Sequence, residues 1–316
     1  MRHEIKVNSP RYHIIMPDIT ISNITPDKIS LPVFIEKNVE VSVLRLDKIH
    51  PVISGNKWFK LRYYLEEAKQ QKKNTIISFG GAWSNHIIAT AAACQINGLN
   101  SMGIIRGEKM EKLSPTLTYA KRLGMQLIFI NREDYRKKKI PAMLNKDEYY
   151  FINEGGYGPK GAAGAATMLD YCKKEDYSHI CCAAGTGTMM AGLINSSLPF
   201  QEVTGISALK NNFESDSYRM EENIRGLLID REKTFRIIHD YHFGGYAKYK
   251  PELIEFMNEF YRETTIPSDF VYTGKLFYAV TDLIKTNFFL TGSRLLLIHS
   301  GGLQGNASLS AGTLIF

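Results

Sequence analysis

From about residue 40 onward, short apolar runs alternate with longer amphipathic stretches. Strands alternating with helical periods predict an α/β fold with parallel sheets. Residues 41–46 alternate in strand fashion, and 57–71 read as a helix with Trp58, Leu61, Leu65 and Ala68 on one stripe. Residues 75–79 form a short apolar strand, Gly80 and Gly81 break it, and 84–96 read as the next helix. Strands are predicted at 101–106 and 125–130, with a helix over 115–123 between them and Gly124 where a C-cap belongs. Gly155, Gly156 and Gly158 mark an irregular loop, after which Pro159 can open a helix. An apolar strand at 180–184 runs into Gly185-Thr186-Gly187-Thr188 and then a helix reaching Ser197. A strand at 202–208, helices at 251–264 and 275–288, and a strand at 294–299 complete the pattern. Residues 1–40 carry a weaker pattern and are expected to wrap the body or add an edge strand.

A chain of 316 residues suits one large or two medium domains. With 44% apolar and 22% charged residues, it needs no disulfide or metal staple for its core. The net charge of +7 is mild for this length and suits a small anionic substrate or cofactor. The densest basic run, Arg136 to Lys139 beside Arg132, reads as a solvated loop or helix end. No nucleic-acid motif accompanies it, so no nucleic-acid partner is expected. Cys94, Cys172, Cys181 and Cys182 form no C-x-x-C pair and read as reduced, packed thiols, with Cys181 and Cys182 on opposite faces of a strand. No metal site is expected. Residues 1–17 lack a signal-peptide apolar core, and no apolar run reaches membrane-spanning length. The expectation is a cytoplasmic protein without a membrane partner.

Three loops carry candidate chemistry. In Ser54-Gly55-Asn56-Lys57 a tight turn precedes a helix with a lysine in its first turn. The helix dipole disfavours a cation there and depresses its pKa, as a Schiff-base amine needs. Lys60 lies one turn on and can share that face. Taken alone, the local residues favour the plainer reading, in which both are surface lysines on an amphipathic helix. Gly80-Gly81-Ala82-Trp83-Ser84-Asn85-His86 joins a strand end to a helix start, where α/β sheets bind ligands. Ser84 is a good N-cap, and that helix end attracts a carboxylate or phosphate. Gly185-Thr186-Gly187-Thr188 repeats the strand–turn–helix arrangement, and its N–H groups and hydroxyls can cradle a phosphate. It lacks the Walker lysine and the third glycine of a dinucleotide loop, where Met190 stands. A plain βα turn is the alternative.

Taken together and in this order, the segments resemble the fold-type II pyridoxal-phosphate enzymes, in particular the 1-aminocyclopropane-1-carboxylate deaminase and D-cysteine desulfhydrase group. Gly55-Asn56-Lys57 with Lys60-Leu61-Arg62 resembles the cofactor-lysine segment, and Ser84-Asn85-His86 the motif that holds the substrate carboxylate and the cofactor ring. Gly185 to Thr188 resembles the phosphate loop. Tyr272-x-Gly274-Lys275 and Tyr246 resemble the two active-site tyrosines, and His299-x-Gly301-Gly302 the C-terminal cofactor loop. The resemblance implies two open α/β domains of tryptophan-synthase-β type with pyridoxal 5'-phosphate between them. The large domain would comprise residues 1–57 and 166–316, with the small one, 58–165, inserted. It also implies a homodimer acting on a small amino acid.

Within the group, the deaminases carry an acidic residue after the tyrosine, an apolar residue after the C-terminal histidine and Gln after Ser-Asn. Here these positions hold Thr273, Ser300 and His86, which look more like D-cysteine desulfhydrase. Against that pattern, Ile87 to Thr90 lack expected polar residues and the chain is short. The implied reaction is β-elimination of D-cysteine to pyruvate, ammonia and hydrogen sulfide. Lys57 would carry the cofactor, and Lys57 or Tyr272 would take the α-proton. Ser84 and Asn85, with His86, would bind the substrate at its carboxylate, and Tyr272 and Tyr246 would assist by stacking or by proton transfer. Lys60 and the 185–188 loop would bind the phosphate, and Ser300, in preference to Thr273, would face the pyridine nitrogen. The alternatives are ring-opening deamination of 1-aminocyclopropane-1-carboxylate to 2-oxobutanoate, and a catalytically silent cofactor-binding protein.

Overall fold

A computed structural model describes residues 19–316 apart from 110, 143, 145, 146 and 211–215, so the expectations for residues 1–18 lie outside the described residues. The strands form two sheets. The larger runs β1 (Pro26–Ile29), β2 (Glu40–Leu44), β10 (Arg294–Ile298), β7 (His179–Ala184), β8 (Glu202–Ser207), β9 (Arg236–Ile238). Every neighbouring pair is parallel except β1–β2. The smaller sheet runs β5 (Gln126–Ile130), β4 (Asn100–Arg106), β3 (Thr75–Gly80), β6 (Tyr150–Ile152) and is parallel throughout. The α/β architecture is therefore as expected, and β1 is the edge strand anticipated within residues 1–40. The α-helices among the described residues are α1 (Pro32–Glu36), α2 (Asn56–Gln70), α3 (Asn85–Ile96), α4 (Pro115–Arg122), α5 (Arg132–Arg136), α6 (Pro159–Ala166), α7 (Thr188–Ser196), α8 (Asp216–Arg225), α9 (Pro251–Thr264) and α10 (Thr273–Lys285).

Helices cover both faces of the large sheet, which is why its central strands read as unbroken apolar runs. β7 shows the consequence: Cys182 packs with Met190 and Leu193 of α7, whereas Cys181 packs with Leu276 and Phe277 of α10. The adjacent thiols thus occupy opposite faces, and all four cysteines are free. In the smaller unit, α3 is buried on all sides from Asn85 to Cys94. It shares one apolar cluster with Leu65 and Ala68 of α2 and with Leu117 and Ala120 of α4. That burial explains the run Ile87 to Thr90, which is core rather than ligand surface. The basic run after α5 is ion-paired at the surface: Lys137 with Glu133, Lys138 with Glu154 and Lys139 with Asp134.

α2, which begins beside Lys57, is fixed by close backbone packing on α6. A Cβ at Gly164 would stand 1.9 Å from the Phe59 carbonyl oxygen. Neither helix backbone can yield cheaply, so Gly164→Ala is expected to cost roughly 3 kcal/mol of stability. A urea unfolding midpoint unchanged from wild type would show that the helices are not in contact there.

Candidate active site

The carboxyl ends of the two sheets face a common cavity of about 1360 Å³. The loops after β3, β4 and β5 supply one wall; those after β7 and β10, with Tyr246 and Tyr272, supply the other. Both sheets thus place their ligand-binding ends toward one space, as open α/β sheets do.

Lys57 enters this cavity from the first turn of α2. Gly55 caps the helix with φ 63°, ψ −139°, a conformation open to glycine. The Lys57 Nζ donates to Asn56 Oδ1 at 2.5 Å. Burial lowers its pKa to about 8, against a smaller upward pull from the Asp269 carboxylate. A far larger fraction of this amine than of an ordinary lysine is therefore neutral, and nucleophilic, near neutral pH, although the protonated form still predominates below pH 8. Lys60 is buried, and burial followed by the Lys57 charge holds it well below an ordinary lysine. The sequence allowed both lysines to be surface residues; the structure puts both on the cavity wall.

Ser84 caps α3, its hydroxyl accepting from the Ile87 N–H at 3.3 Å. Asn85 is buried, and its Oδ1 has no hydrogen-bond partner among the described residues. Its Nδ2 lies against Gly302 of the C-terminal loop, 2.9 Å from where a Cβ would stand. His86 is also buried on the wall. Its Nε2 lies 2.8 Å from Ser78 Oγ, whose single proton goes to the Ile152 carbonyl. The network therefore assigns the proton to Nε2, with Ser78 accepting, and leaves Nδ1 as an unprotonated, unpartnered acceptor. Burial, then Lys60 and Lys57, holds this imidazole neutral.

After β7, Gly187 adopts φ 82° and caps α7 without any side-chain hydrogen bond, so the leading N–H groups of the helix lack a side-chain acceptor. The Thr186 and Thr188 hydroxyls meet at 3.1 Å. Gly185 permits close approach of Tyr272, whose ring would be 3.2 Å from a Cβ there. The Tyr272 and Tyr246 rings stand edge to face, 6.0 Å between centroids. Burial first, then Tyr246, pushes the Tyr272 phenol well above its ordinary range.

Thr273 and Ser300 differ in position. Thr273 is fully buried and not on the cavity wall; its hydroxyl donates to Asp269 Oδ2 at 2.7 Å and accepts from the Asp269 N–H at 2.7 Å. The Thr273 hydroxyl is thus committed to Asp269 and lies away from the cavity wall, unlike the cofactor contact that the sequence offered as the alternative to Ser300. Ser300 is on the wall, and its hydroxyl makes no hydrogen bond among the described residues. Asp269 escaped sequence reading. Its carboxylate accepts from the N–H groups of Val271, Tyr272 and Thr273 and so fixes the start of α10. An Asp a few residues ahead of a helix is the one signal that could have found it. Arg106 and Glu154, also on the wall, belong to no recognised motif.

Residues 29–301 match the profile of the family described as pyridoxal-phosphate dependent enzymes. A putative 1-aminocyclopropane-1-carboxylate deaminase of Thermotoga maritima is 30% identical over 84% of this chain and 89% of its own. A mitochondrial bifunctional D-cysteine desulfhydrase/1-aminocyclopropane-1-carboxylate deaminase of Arabidopsis thaliana is 28% identical over 84% of this chain and 73% of its own. Among solved structures, an ACC deaminase homologue superposes with a TM-score of 0.73 at 24% identity, covering 92% of this chain and 94% of that one. The cavity fits the group for which the family is named. A lysine amine with pKa about 8 can bond its aldehyde, the uncapped start of α7 can take its phosphate, and the Asn85 side chain retains an unused buried acceptor beside it. By sequence match and by fold, the chain belongs to the pyridoxal-phosphate dependent enzymes.

Proposed function

We propose that this enzyme is a lyase that eliminates the β-substituent of a small amino acid, acting as a D-cysteine desulfhydrase. The observation that carries this choice is Ser300 on the cavity wall, with a hydroxyl that makes no hydrogen bond among the described residues, while the Asp269 carboxylate is committed to α10. A carboxylate against the pyridine nitrogen would favour a protonated ring, whereas a neutral hydroxyl does not force protonation. Expelling a thiolate demands less of the cofactor than opening a cyclopropane. The reading divides the chain into a large unit of residues 1–57 and 166–316 and an inserted unit of 58–165, which accords with the two sheets. It takes the protein as a cytoplasmic homodimer; among the described residues no helix is long and apolar enough to cross a membrane.

When bound, pyridoxal phosphate supplies a sink for the electron pair released at the substrate α-carbon. Lys57 would hold the cofactor, and Lys60 with the Gly185–Thr188 loop would receive its phosphate. Ser84, Asn85 and the start of α3 would bind the substrate carboxylate, with His86 behind them as a neutral wall. Lys57, with a pKa of about 8, is the better acceptor for the α-proton, because the elevated Tyr272 phenol keeps its own. Tyr272, beside Tyr246, would instead offer the departing thiolate a hydrogen bond while keeping its proton. The net reaction converts D-cysteine and water to pyruvate, ammonia and hydrogen sulfide.

Reconstitution of apoprotein should report the Lys57 amine directly. Its rate is expected to rise about tenfold per pH unit below pH 8 and to level off above it, as the neutral form becomes the major one. An ordinary lysine would keep accelerating toward its usual pKa of about 10.4. The substrate is tested by assaying D-cysteine, L-cysteine, D-serine and 1-aminocyclopropane-1-carboxylate side by side for keto acid. Preferred release of 2-oxobutanoate would replace the desulfhydrase by the deaminase, and cofactor binding without any turnover would leave a silent binding protein.

A further inference from the structure

Arg106, the last residue of β4, stands on the cavity wall with no task in the reaction above. Its Nη2 lies 3.7 Å from where a Cβ on Gly81 would be, so the guanidinium reaches the loop that leads into Ser84 and Asn85. Its Cζ is 5.9 Å from the Tyr135 ring centroid. Toward the other wall, the Arg106 charge offsets part of the upward push that burial gives the Tyr246 phenol. Among the described residues Arg106 forms no ion pair and donates no hydrogen bond. Arg132 and Lys248, also on this wall, form no ion pair either. Of the two carboxylates nearby, Glu154 is already held by the Tyr135 hydroxyl at 2.6 Å and by Lys138. Glu108 pairs with none of the three cations.

The anionic groups of the reaction are accounted for elsewhere. The cofactor phosphate has the start of α7, and the substrate α-carboxylate has Ser84, Asn85 and the start of α3. A guanidinium whose donors are open among the described residues, beside the Gly81 loop that leads to the carboxylate site, suits one more anion. It presents several N–H groups in a planar fork, which matches a carboxylate, sulfonate or phosphate oxygen pair.

We propose that Arg106 is a specificity-determining residue that binds a negatively charged β-substituent, so that the preferred substrates are small amino acids whose side chain is or carries an anion. The inference rests on the lyase reading and narrows it: a thiolate, sulfonate, phosphate ester or second carboxylate at the β-position is favoured over a neutral group. Because the guanidinium is exposed at the cavity mouth, salt screening moderates the effect.

The test compares binding of cysteate, which carries a sulfonate on the β-carbon, with binding of alanine, which carries none. Both enantiomers of each are titrated calorimetrically into holoenzyme. Wild type is expected to favour cysteate by about tenfold or more, the range of a charge-assisted hydrogen bond. In Arg106→Gln the cysteate-to-alanine affinity ratio is expected to fall about tenfold, and in Arg106→Lys to fall less. Raising the salt concentration should erode the wild-type ratio and leave that of Arg106→Gln little changed. A ratio equal in wild type and Arg106→Gln overturns the proposal, including the case in which both ligands weaken together, which would put Arg106 on the α-carboxylate. Failure of the lyase reading is seen separately, as absence of the cofactor absorbance band or of keto acid from any of the four amino acids assayed above. A protein that does release keto acid but shows equal ratios loses only the Arg106 assignment.

Discussion

Lys57→Ala protein, purified in the presence of pyridoxal phosphate, is expected to lack the visible absorbance band of the wild type and to lose roughly 10³-fold or more in kcat/KM. Two losses combine. The side chain that would bond the cofactor disappears, and so does the base for the α-proton, a role worth about 10²–10⁴-fold by itself. Folding should survive, because Lys57 is only half-buried and its Nζ makes a single hydrogen bond, to its neighbour Asn56. Lys57→Arg separates charge from chemistry: the guanidinium stays protonated and supplies no nucleophilic amine, so it should be as inactive as the alanine variant. Lys60→Ala retains Lys57 and should keep the band while weakening cofactor affinity. A coloured, active Lys57→Ala protein would remove the assignment outright.

Gly55→Ala is expected to be the most damaging single-methyl change at the site. Its φ of 63° with ψ of −139° is open to glycine alone, so the backbone itself resists any side chain. The added Cβ would also fall 2.0 Å from the Ser300 carbonyl oxygen and 2.4 Å from the Gly301 nitrogen. These are backbone atoms, so either the cofactor-lysine turn or the Ser300 loop must move, and the 3.2 Å bond from the Asn56 N–H to the Ser300 carbonyl is lost with them. We expect a stability loss of roughly 3 kcal/mol or more, read as the urea midpoint, together with at least about tenfold weaker cofactor binding. Gly98→Ala is the control, since Gly98 also has positive φ, 67°, but nothing lies within 4 Å of its added Cβ. It should show only the backbone cost, about 1 kcal/mol, with unchanged cofactor binding. Equal effects in the two variants would mean that the two loops do not touch.

The main course of the chain could be read because strand and helix periods differ and because the loops of interest sit at strand ends. α9 begins and ends where its sequence predicts, with Pro251 in the first turn and Thr265 closing it at φ 58°. α10 stops at Lys285, short of the anticipated 288, because Asn287 turns the chain at φ 60°. β6 and β9 have three residues each, too few for an alternation to register. Within the site, Lys57, Ser84, Asn85 and the 185–188 loop were legible as motifs. Between Thr273 and Ser300 the sequence could only lean, since the choice depends on placement: the Thr273 hydroxyl is bonded to Asp269 away from the wall, whereas Ser300 lines the cavity. Asp269 offered only the faint signal of an Asp ahead of a helix, because its work is done on backbone N–H groups. Arg106 ends a strand like many other arginines, and only the lack of a partner across the cavity sets it apart.

The most direct measurement is to reduce the holoenzyme with borohydride, digest it, and locate the pyridoxyl-phosphate adduct by mass spectrometry. The account predicts one modified peptide, with the added mass on Lys57. An adduct on Lys60, Lys275 or any other lysine, or no adduct at all, would contradict it.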